Sequence, residues 1–384
     1  MNSLWIRLSP LRRHYLPLGV DDDGYHDIPS PLRKRRRLVV ALAALVAVSL
    51  LFNVLSLVKL SRSSSLQARP LDDFQNLDTS PLIRVQSSSS NGYNANINAI
   101  VTTLFSDSYA PAVATLGHSL RKVNTTARLI ALYFPEKVSP SALCLAAASG
   151  FQPVAVSRIA PPHNGKGIHD HFLDQFTKLS LWSLENEGIN ALVYVDADTL
   201  VLRNFDELFE LPYVFAAAPD VWEDRRGMTL EFNAGVLFLR TSMKTYQRML
   251  DVLPTTRFPL FYAEQAFLNQ YFSGRTLTLP PVYNANIVTK KKYPELWRSM
   301  WEGKEVRTIH YTVVKPFLGP KMSGIGVGEV DGRVKEVKES ESGRYSEEVE
   351  MWGKMWVETR EMYPKIREEC IRGTTVKYSG VLLT

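Results

Sequence analysis

The chain has 384 residues, 45% of them hydrophobic, enough for one large core or two smaller ones. Its formal charge is +6, but +4 of that belongs to residues 1–37, where eight basic groups meet four acidic ones. The remainder is close to balanced, so the basicity comes from a tail and argues against a nucleic-acid-binding face.

Leu38 to Val58 is a run of 21 residues without a charged side chain. About 20 apolar residues span a bilayer core as a helix, and a signal-peptide core is shorter. Five consecutive cations, Arg33 to Arg37, precede the run, whereas only Lys59 and Arg62 follow closely. That asymmetry predicts a signal-anchor with residues 1–37 as a cytosolic tail and the rest of the chain lumenal. The expected location is the Golgi or ER membrane, as a single-pass type II protein. Residues 59–96, with SRSSS and SSSSNG blocks, read as a flexible stem.

From residue 97 strand and helix signals alternate. Ile97 to Phe105 reads as a first core strand, Tyr109 to Val123 as a helix and Leu129 to Tyr133 as a second strand. Ser139 to Ala148 reads as a helix and Val154 to Ile159 as a strand. A Pro/Gly/His loop spans 161–170, and Phe172 to Glu187 forms a helix carrying Lys178. Repeated β-α units predict an α/β fold with a mostly parallel sheet covered on both faces. Asn124-Thr125-Thr126 is the only N-x-S/T sequon. Cys144 and Cys370 are the only cysteines; one disulfide and two buried thiols both fit two cysteines 226 positions apart.

The most informative stretch is ALVYVDADTLVLRNFDELFEL, residues 191–211. Five apolar residues running into Asp196-Ala197-Asp198 read as a buried strand ending at a sheet edge, where ligands of open α/β sheets bind. The two carboxylates leave an extended chain on the same face and repel without a counter-charge. A hard divalent cation removes that repulsion. Taken alone, a D-x-D triplet is commonly a solvated turn.

Seven segments in order carry a resemblance: VTTLFSDSYAPAVATLGHSLR (101–121), FTKLSLWSL (176–184), YVDADTLVLRNFDELFE (194–210), FNAGVLFL (232–239), EQAFLNQYF (264–272), LPPVYN (279–284) and IHYTVVKPF (309–317). Residues 97–320 thereby resemble the glycogenin-like members of glycosyltransferase family 8, of a membrane-anchored fungal type. The resemblance implies a GT-A fold (Rossmann-like, nucleotide-diphospho-sugar transferase) and a Mn²⁺-dependent retaining transfer from a UDP-sugar. It implies that the 103–109 turn cradles uracil, with Phe105 and Ser106 in the turn and Tyr109 stacking on the base. Asp196, Asp198 and His310 are the implied metal ligands, and Asp196 and Ala197 also approach the donor. Lys178 and Lys315 face the diphosphate or sugar, Asn233 contacts the sugar or acceptor, and Gln265 lies near the anomeric carbon. Singly, His310 has the profile of a structural histidine, Lys178 of a snorkelling surface cation and Lys315 of a solvated loop residue; their joint placement overrides this. Two carboxylates and an imidazole form a chemically sensible set for Mn²⁺.

Three departures stand out. Glu264 replaces the family's usual Asp before Gln265. The family's H-x-x-G-x-x-K-P-W is shortened to HYTVVKPF, without its Gly. The Arg often found before the 172–187 helix has no match, with His169, His171 or Lys166 as substitutes. Residues 321–384 read as a loop followed by a helix on the catalytic domain. In the notable stripe Val349, Trp352, Trp356 and Tyr363, core packing is weighed against an acceptor platform. The expected activity moves a hexose or N-acetylhexosamine to a carbohydrate, glycoprotein or glycolipid acceptor. The competing readings are an inactive lumenal binding or scaffold protein and a self-glucosylating primer of the glycogenin type. KKKY at 290–293 lies near that type's acceptor segment.

Overall fold

The structure is a computed structural model that describes residues 31–66, 97–221, 228–364, 366, 370 and 382–383. Residues 1–30 of the expected tail and 67–96 of the expected stem lie outside the described residues. The chain divides into two compact units, Met1–Ala68 and Arg69–Thr384.

The first unit contains helix α1 (Pro31–Leu66), longer than the apolar run at both ends. Its Val39–Ser56 window is long and apolar enough to cross a membrane. At 1.5 Å per residue 18 residues rise about 27 Å, close to a bilayer core. The amide of Asn53 donates to the Ser49 carbonyl oxygen at 2.8 Å, so this polar side chain is satisfied within its own helix.

The second unit runs β1 (Asn98–Leu104), α2 (Ala110–Lys122), β2 (Arg128–Tyr133), α3 (Pro140–Ala148) and β3 (Gln152–Val156). Ser139 opens α3 by accepting from the Ala142 amide at 3.2 Å. A 13-residue 3₁₀ helix, Gln175–Glu187, stands where the sequence predicts an α-helix. It ends at Gly188, whose φ of 73° suits glycine. Then come β4 (Ala191–Val195), β5 (Thr199–Val201), β6 (Phe215–Val221) and β7 (Met228–Arg240). They are followed by α4 (Met243–Val252), α5 (Ala263–Tyr271), β8 (Leu277–Thr278), β9 (Ala285–Asn286), α6 (Val288–Lys292), α7 (Pro294–Glu302) and β10 (Thr308–His310). Helices α8 (Val330–Glu339) and α9 (Ser346–Met362) and the short strand β11 (Leu382–Leu383) complete it.

The main sheet has the order β11-β3-β2-β1-β4-β7-β6-β8. Only β7 opposes its neighbours, so the sheet is mostly parallel. Alternate residues of β1 and β4 enter opposite cores. Ile100, Val193 and Val195 face one cluster, and Ala99, Val101, Leu192 and Tyr194 the other. A strand buried on both faces explains the unbroken apolar run that the sequence shows. The small second sheet, β5-β10-β9, matters more for chemistry. It pairs His310 with Thr199 across the β5–β10 ladder and with Asn286 across β10–β9.

One further expectation changes. The stretch read as a loop after residue 320 contains α8. Val330 and Val337 are buried and Val334 packs beside them, a helical spacing masked in sequence by Gly332 and interspersed charges. Gly353 of α9 lies so close that a Cβ there meets Val334 Cγ1 at 2.6 Å. Trp352 and Trp356 are fully buried against the core, so they are packing residues and form no exposed acceptor platform. The two cysteines form a disulfide between α3 and residue 370, with Cα atoms 5.3 Å apart.

Candidate active site

Asp196 follows β4 directly. Its amide donates to the Gly235 carbonyl on β7 at 2.8 Å, and Thr199 Oγ1 donates to the Asp196 carbonyl at 2.7 Å. These bonds hold the 196–199 turn, while the β5–β10 register brings His310 over it. His310 Nε2 lies 3.4 Å from Asp198 Oδ1 and 3.7 Å from Asp196 Oδ2. The ligand atoms of Asp196, Asp198 and His310 all lie within 4.8 Å of one another. The other ring nitrogen, Nδ1, is 3.0 Å from Asn284 Oδ1. Asn284 uses its Nδ2 to donate to Asn233 Oδ1 at 2.9 Å, so its oxygen is free to accept only. Nδ1 therefore donates to Asn284, which leaves Nε2 as the ring nitrogen that faces the two carboxylates. Two anionic oxygens and one imidazole nitrogen, pre-oriented this way, fit a divalent transition metal.

Lysines flank the cluster. Lys178 is buried, 2.9 Å from Asp196 Oδ1 and 2.9 Å from Glu264 Oε1, with its ammonium 4.9 Å from the Tyr194 ring centroid. Burial would lower its pKa, but Asp196 and Glu264 hold it well above the usual lysine value. Burial raises the pKa of Glu264 against the pull of Lys178. Tyr194 donates to Asp196 Oδ1 at 2.5 Å. Lys315 pairs with Asp198 Oδ2 and donates to the Tyr311 carbonyl at 2.9 Å. Burial acts to raise the Asp198 pKa, but Lys315 and His310 hold it far below the carboxylate range.

A second carboxylate network lies beside the first. Asp220, near the end of β6, accepts from Asn233 Nδ2 at 3.0 Å and from Gln265 Nε2 at 2.8 Å. Gln265 Oε1 in turn accepts from the Ala234 amide at 2.9 Å. Ala263, just before Glu264 and Gln265, adopts φ 47°, a strained value for a residue with a Cβ.

Lys178, Asp196, Asp198, Glu264, Gln265, His310 and Lys315 border a cavity of about 510 Å³, within the range of ligand pockets. Its lining includes every residue to which the resemblance gives a site role: Phe105, Ser106, Tyr109, Lys178, Asp196, Ala197, Asp198, Asn233, Gln265, His310 and Lys315. Phe105 also stacks on Phe134, with centroids 4.2 Å apart, and the Tyr109 ring meets Phe317 edge-on at 5.2 Å. Of the three substitutes considered for the missing Arg, His171 lines the cavity, whereas His169 and Lys166 do not. The shortened 310–317 loop still delivers Lys315, because Tyr311 is tied down by its amide to the Asp198 carbonyl and by its hydroxyl to the Glu348 carbonyl.

Residues 100–318, more than half of the chain, match Glycosyl transferase family 8. The chain belongs to that family. Family 8 relatives with similar sequences include Glycogenin-1 of Mus musculus, 32% identical over 224 residues, covering 56% of this chain and 63% of that protein. Glycogenin of Neurospora crassa is 32% identical over 189 residues, covering 47% of this chain and 26% of the other. Galactinol synthase 1 of Solanum lycopersicum is 29% identical over 163 residues, covering 38% and 49%. The aligned regions thus span less than two thirds of each of these relatives. Among solved structures, the galactosyltransferase LgtC bound to donor and acceptor sugar analogues superposes with a TM-score of 0.43 and 18% identity, over 64% of this chain and 99% of that one.

Three site residues of this family 8 chain escaped the sequence reading. Asp220 had a usable signal, since FAAAPD is another apolar strand running into a carboxylate, like the 191–196 stretch. Tyr194 sits inside an apolar run and Asn284 after the LPPVY segment, and neither carries a distinguishing pattern.

Proposed function

We propose that this glycosyltransferase is a metal-dependent, retaining hexosyltransferase that uses a UDP-sugar. UDP-glucose is the first donor to test and N-acetylhexosamines the next. The observation that carries the reading is the convergence of Asp196, Asp198, His310, Lys178 and Lys315 on one cavity. A Mn²⁺ ion held by Asp196, Asp198 and His310 would neutralise charge developing on the departing diphosphate. Lys315 shares a carboxylate with that cluster and can swing its ammonium onto a phosphate. Lys178, paired with Asp196 Oδ1, holds that carboxylate in place. The amides of Gln265 and Asn233, locked by Asp220, present a rigid polar surface to the sugar, and rigidity limits the reorganisation needed during reaction. The acceptor hydroxyl then attacks on the face from which UDP leaves.

The supported setting is lumenal, with α1 as a type II anchor in the Golgi or ER. The cations ahead of it, the Cys144–Cys370 disulfide and the exposed Asn124 of the sequon all favour that side of the membrane. A self-glucosylating primer is disfavoured: Tyr293 of the KKKY segment is partly buried against the core and does not line the cavity. An inactive scaffold is disfavoured by Lys315, which reaches the cavity despite the shortened loop.

The test is a panel of UDP-sugars offered with Mn²⁺ to the full chain in detergent micelles, with UDP release as readout. One donor should be hydrolysed, and Asp198→Ala should abolish the release. Absence of Mn²⁺-dependent UDP release from every donor, or full activity in the variant, rejects the reading.

A further inference from the structure

Helix α2 starts at Ala110, beside the cavity-lining Tyr109, and ends at Lys122. Its 13 residues carry the chain about 20 Å away from the cavity. The turn that follows holds the sequon Asn124-Thr125-Thr126, which the sugar transfer does not use. The other polar groups of this turn are engaged. Asn204 Nδ2 donates to the Val123 and Asn124 carbonyl oxygens at 3.2 Å each. Thr125 Oγ1 donates to Asp206 Oδ1 at 2.6 Å. Thr126 donates twice to Asp206 Oδ2, by its amide at 2.8 Å and by its hydroxyl at 3.0 Å. The side-chain amide of Asn124 takes part in none of these bonds, and the residue is exposed, with a φ of 56° that asparagine tolerates.

N-x-S/T marks an acceptor for N-glycosylation, and the hydroxyl of its third residue separates it from any other asparagine. In the folded protein that hydroxyl is spent on Asp206, so an enzyme that reads it must meet the turn earlier. Asp206 is synthesised 80 residues after Thr126. At about 5–20 residues per second this leaves about 4–16 s in which Asn124 and Thr126 are both out and undocked. Accepting the lumenal setting proposed above, we infer that Asn124 carries an N-linked oligosaccharide, transferred before Asp206 docks on Thr126. In the transfer, the bond between sugar C1 and the diphosphate of a lipid-linked oligosaccharide breaks as C1 bonds to Asn124 Nδ2. The amide gives up one proton and the lipid diphosphate leaves. The oligosaccharide then stands at the end of α2 remote from the cavity.

The experiment expresses the full chain in a eukaryotic host and follows its gel mobility before and after digestion with a peptide N-glycosidase. Two variants separate modification from folding. Asn124→Gly removes the acceptor and suits the positive φ. Thr126→Ala keeps Asn124 and removes the hydroxyl. Wild type should drop by one discrete step on digestion, and both variants should run at the digested position from the start. Digestion in heavy-oxygen water should label position 124. After a short metabolic pulse the first full-length chains should already carry the oligosaccharide. Absence of a shift in wild type, or a shift that persists in either variant, overturns the inference. An oligosaccharide that arrives only during the chase overturns the order of events. Tyr93→Thr creates a second sequon at Asn91, in the expected stem, and tells a failed site from a failed setting. If Asn91 is modified in that variant and Asn124 is not, this inference alone falls. If neither is modified, the lumenal reading falls with it.

Discussion

Asn284 decides which nitrogen of His310 faces the two carboxylates, because its amide oxygen fixes the proton on Nδ1. Partners of this kind typically change metal affinity by about 10- to 100-fold. Asn284→Ala should weaken Mn²⁺ binding by that factor, measured by titration calorimetry, with the fold retained by circular dichroism. Lys315 has the opposite relation to the metal. Its ammonium and a divalent cation compete for Asp198. Lys315→Gln should therefore bind Mn²⁺ alone more tightly than wild type, while UDP in the presence of Mn²⁺ binds about tenfold more weakly through loss of a charged hydrogen bond. Mn²⁺ affinity that falls in this variant would contradict the competition. The sequence points to Asp198 and Lys315 through the family pattern, but it does not reveal that they pair with each other. The two are 117 positions apart, and only the path of the 310–317 loop brings them together.

At the level of elements, β7 and β10 approach so closely that only glycine fits between them. A Cβ on Gly235 meets His310 Cε1 at 2.2 Å and Nδ1 at 2.5 Å. Gly235→Ala should push the imidazole off the carboxylates, and a displacement near 1 Å commonly costs about 100-fold in rate. Hydrolysis of the preferred UDP-sugar should fall by that order while the melting temperature changes little. The α2–α9 interface supplies a pH effect. His118 of α2 is buried, with Nε2 3.6 Å from Glu358, Nδ1 3.5 Å from the Tyr363 hydroxyl and Lys122 nearby on Glu358. Burial, opposed by Glu358, lowers its pKa. The unfolded chain then binds this proton more readily than the folded chain, so stability falls as pH drops through the ordinary histidine range. The urea midpoint should fall between pH 7.5 and 5.5, and by less in His118→Gln. Some elements were hidden in sequence for local reasons. Helix α8 has its valines diluted by charges and a glycine, and the 175–187 segment has an apolar content that suits α and 3₁₀ winding equally.

Across the whole molecule, the disulfide ties the C-terminal segment to α3 over a sequence separation of 226 residues. In the chain-entropy view, closing so long a loop in the unfolded state is worth up to about 5 kcal/mol. Cys370→Ala should melt several degrees lower in non-reducing calorimetry, and reductant should lower wild type to the same temperature. The segment it holds includes β11 at the sheet edge, and α9 just before it buries Trp352 and Trp356 under the loop that carries Lys315. Thus a region outside the family match, residues beyond 318, supports the wall of the cavity.

Local patterns in the chain settled much of this. Apolar runs of strand length, a carboxylate pair at the end of one of them and an uncharged run of bilayer length are all contiguous signals, readable because backbone periodicity and burial act on neighbours in sequence. What only the tertiary structure decided is which distant groups meet: His310 over Asp198, Asn233 and Gln265 on Asp220, and Cys144 with Cys370. Those contacts depend on strand register and loop path, which are set by the packing of the whole sheet rather than by any one stretch of residues.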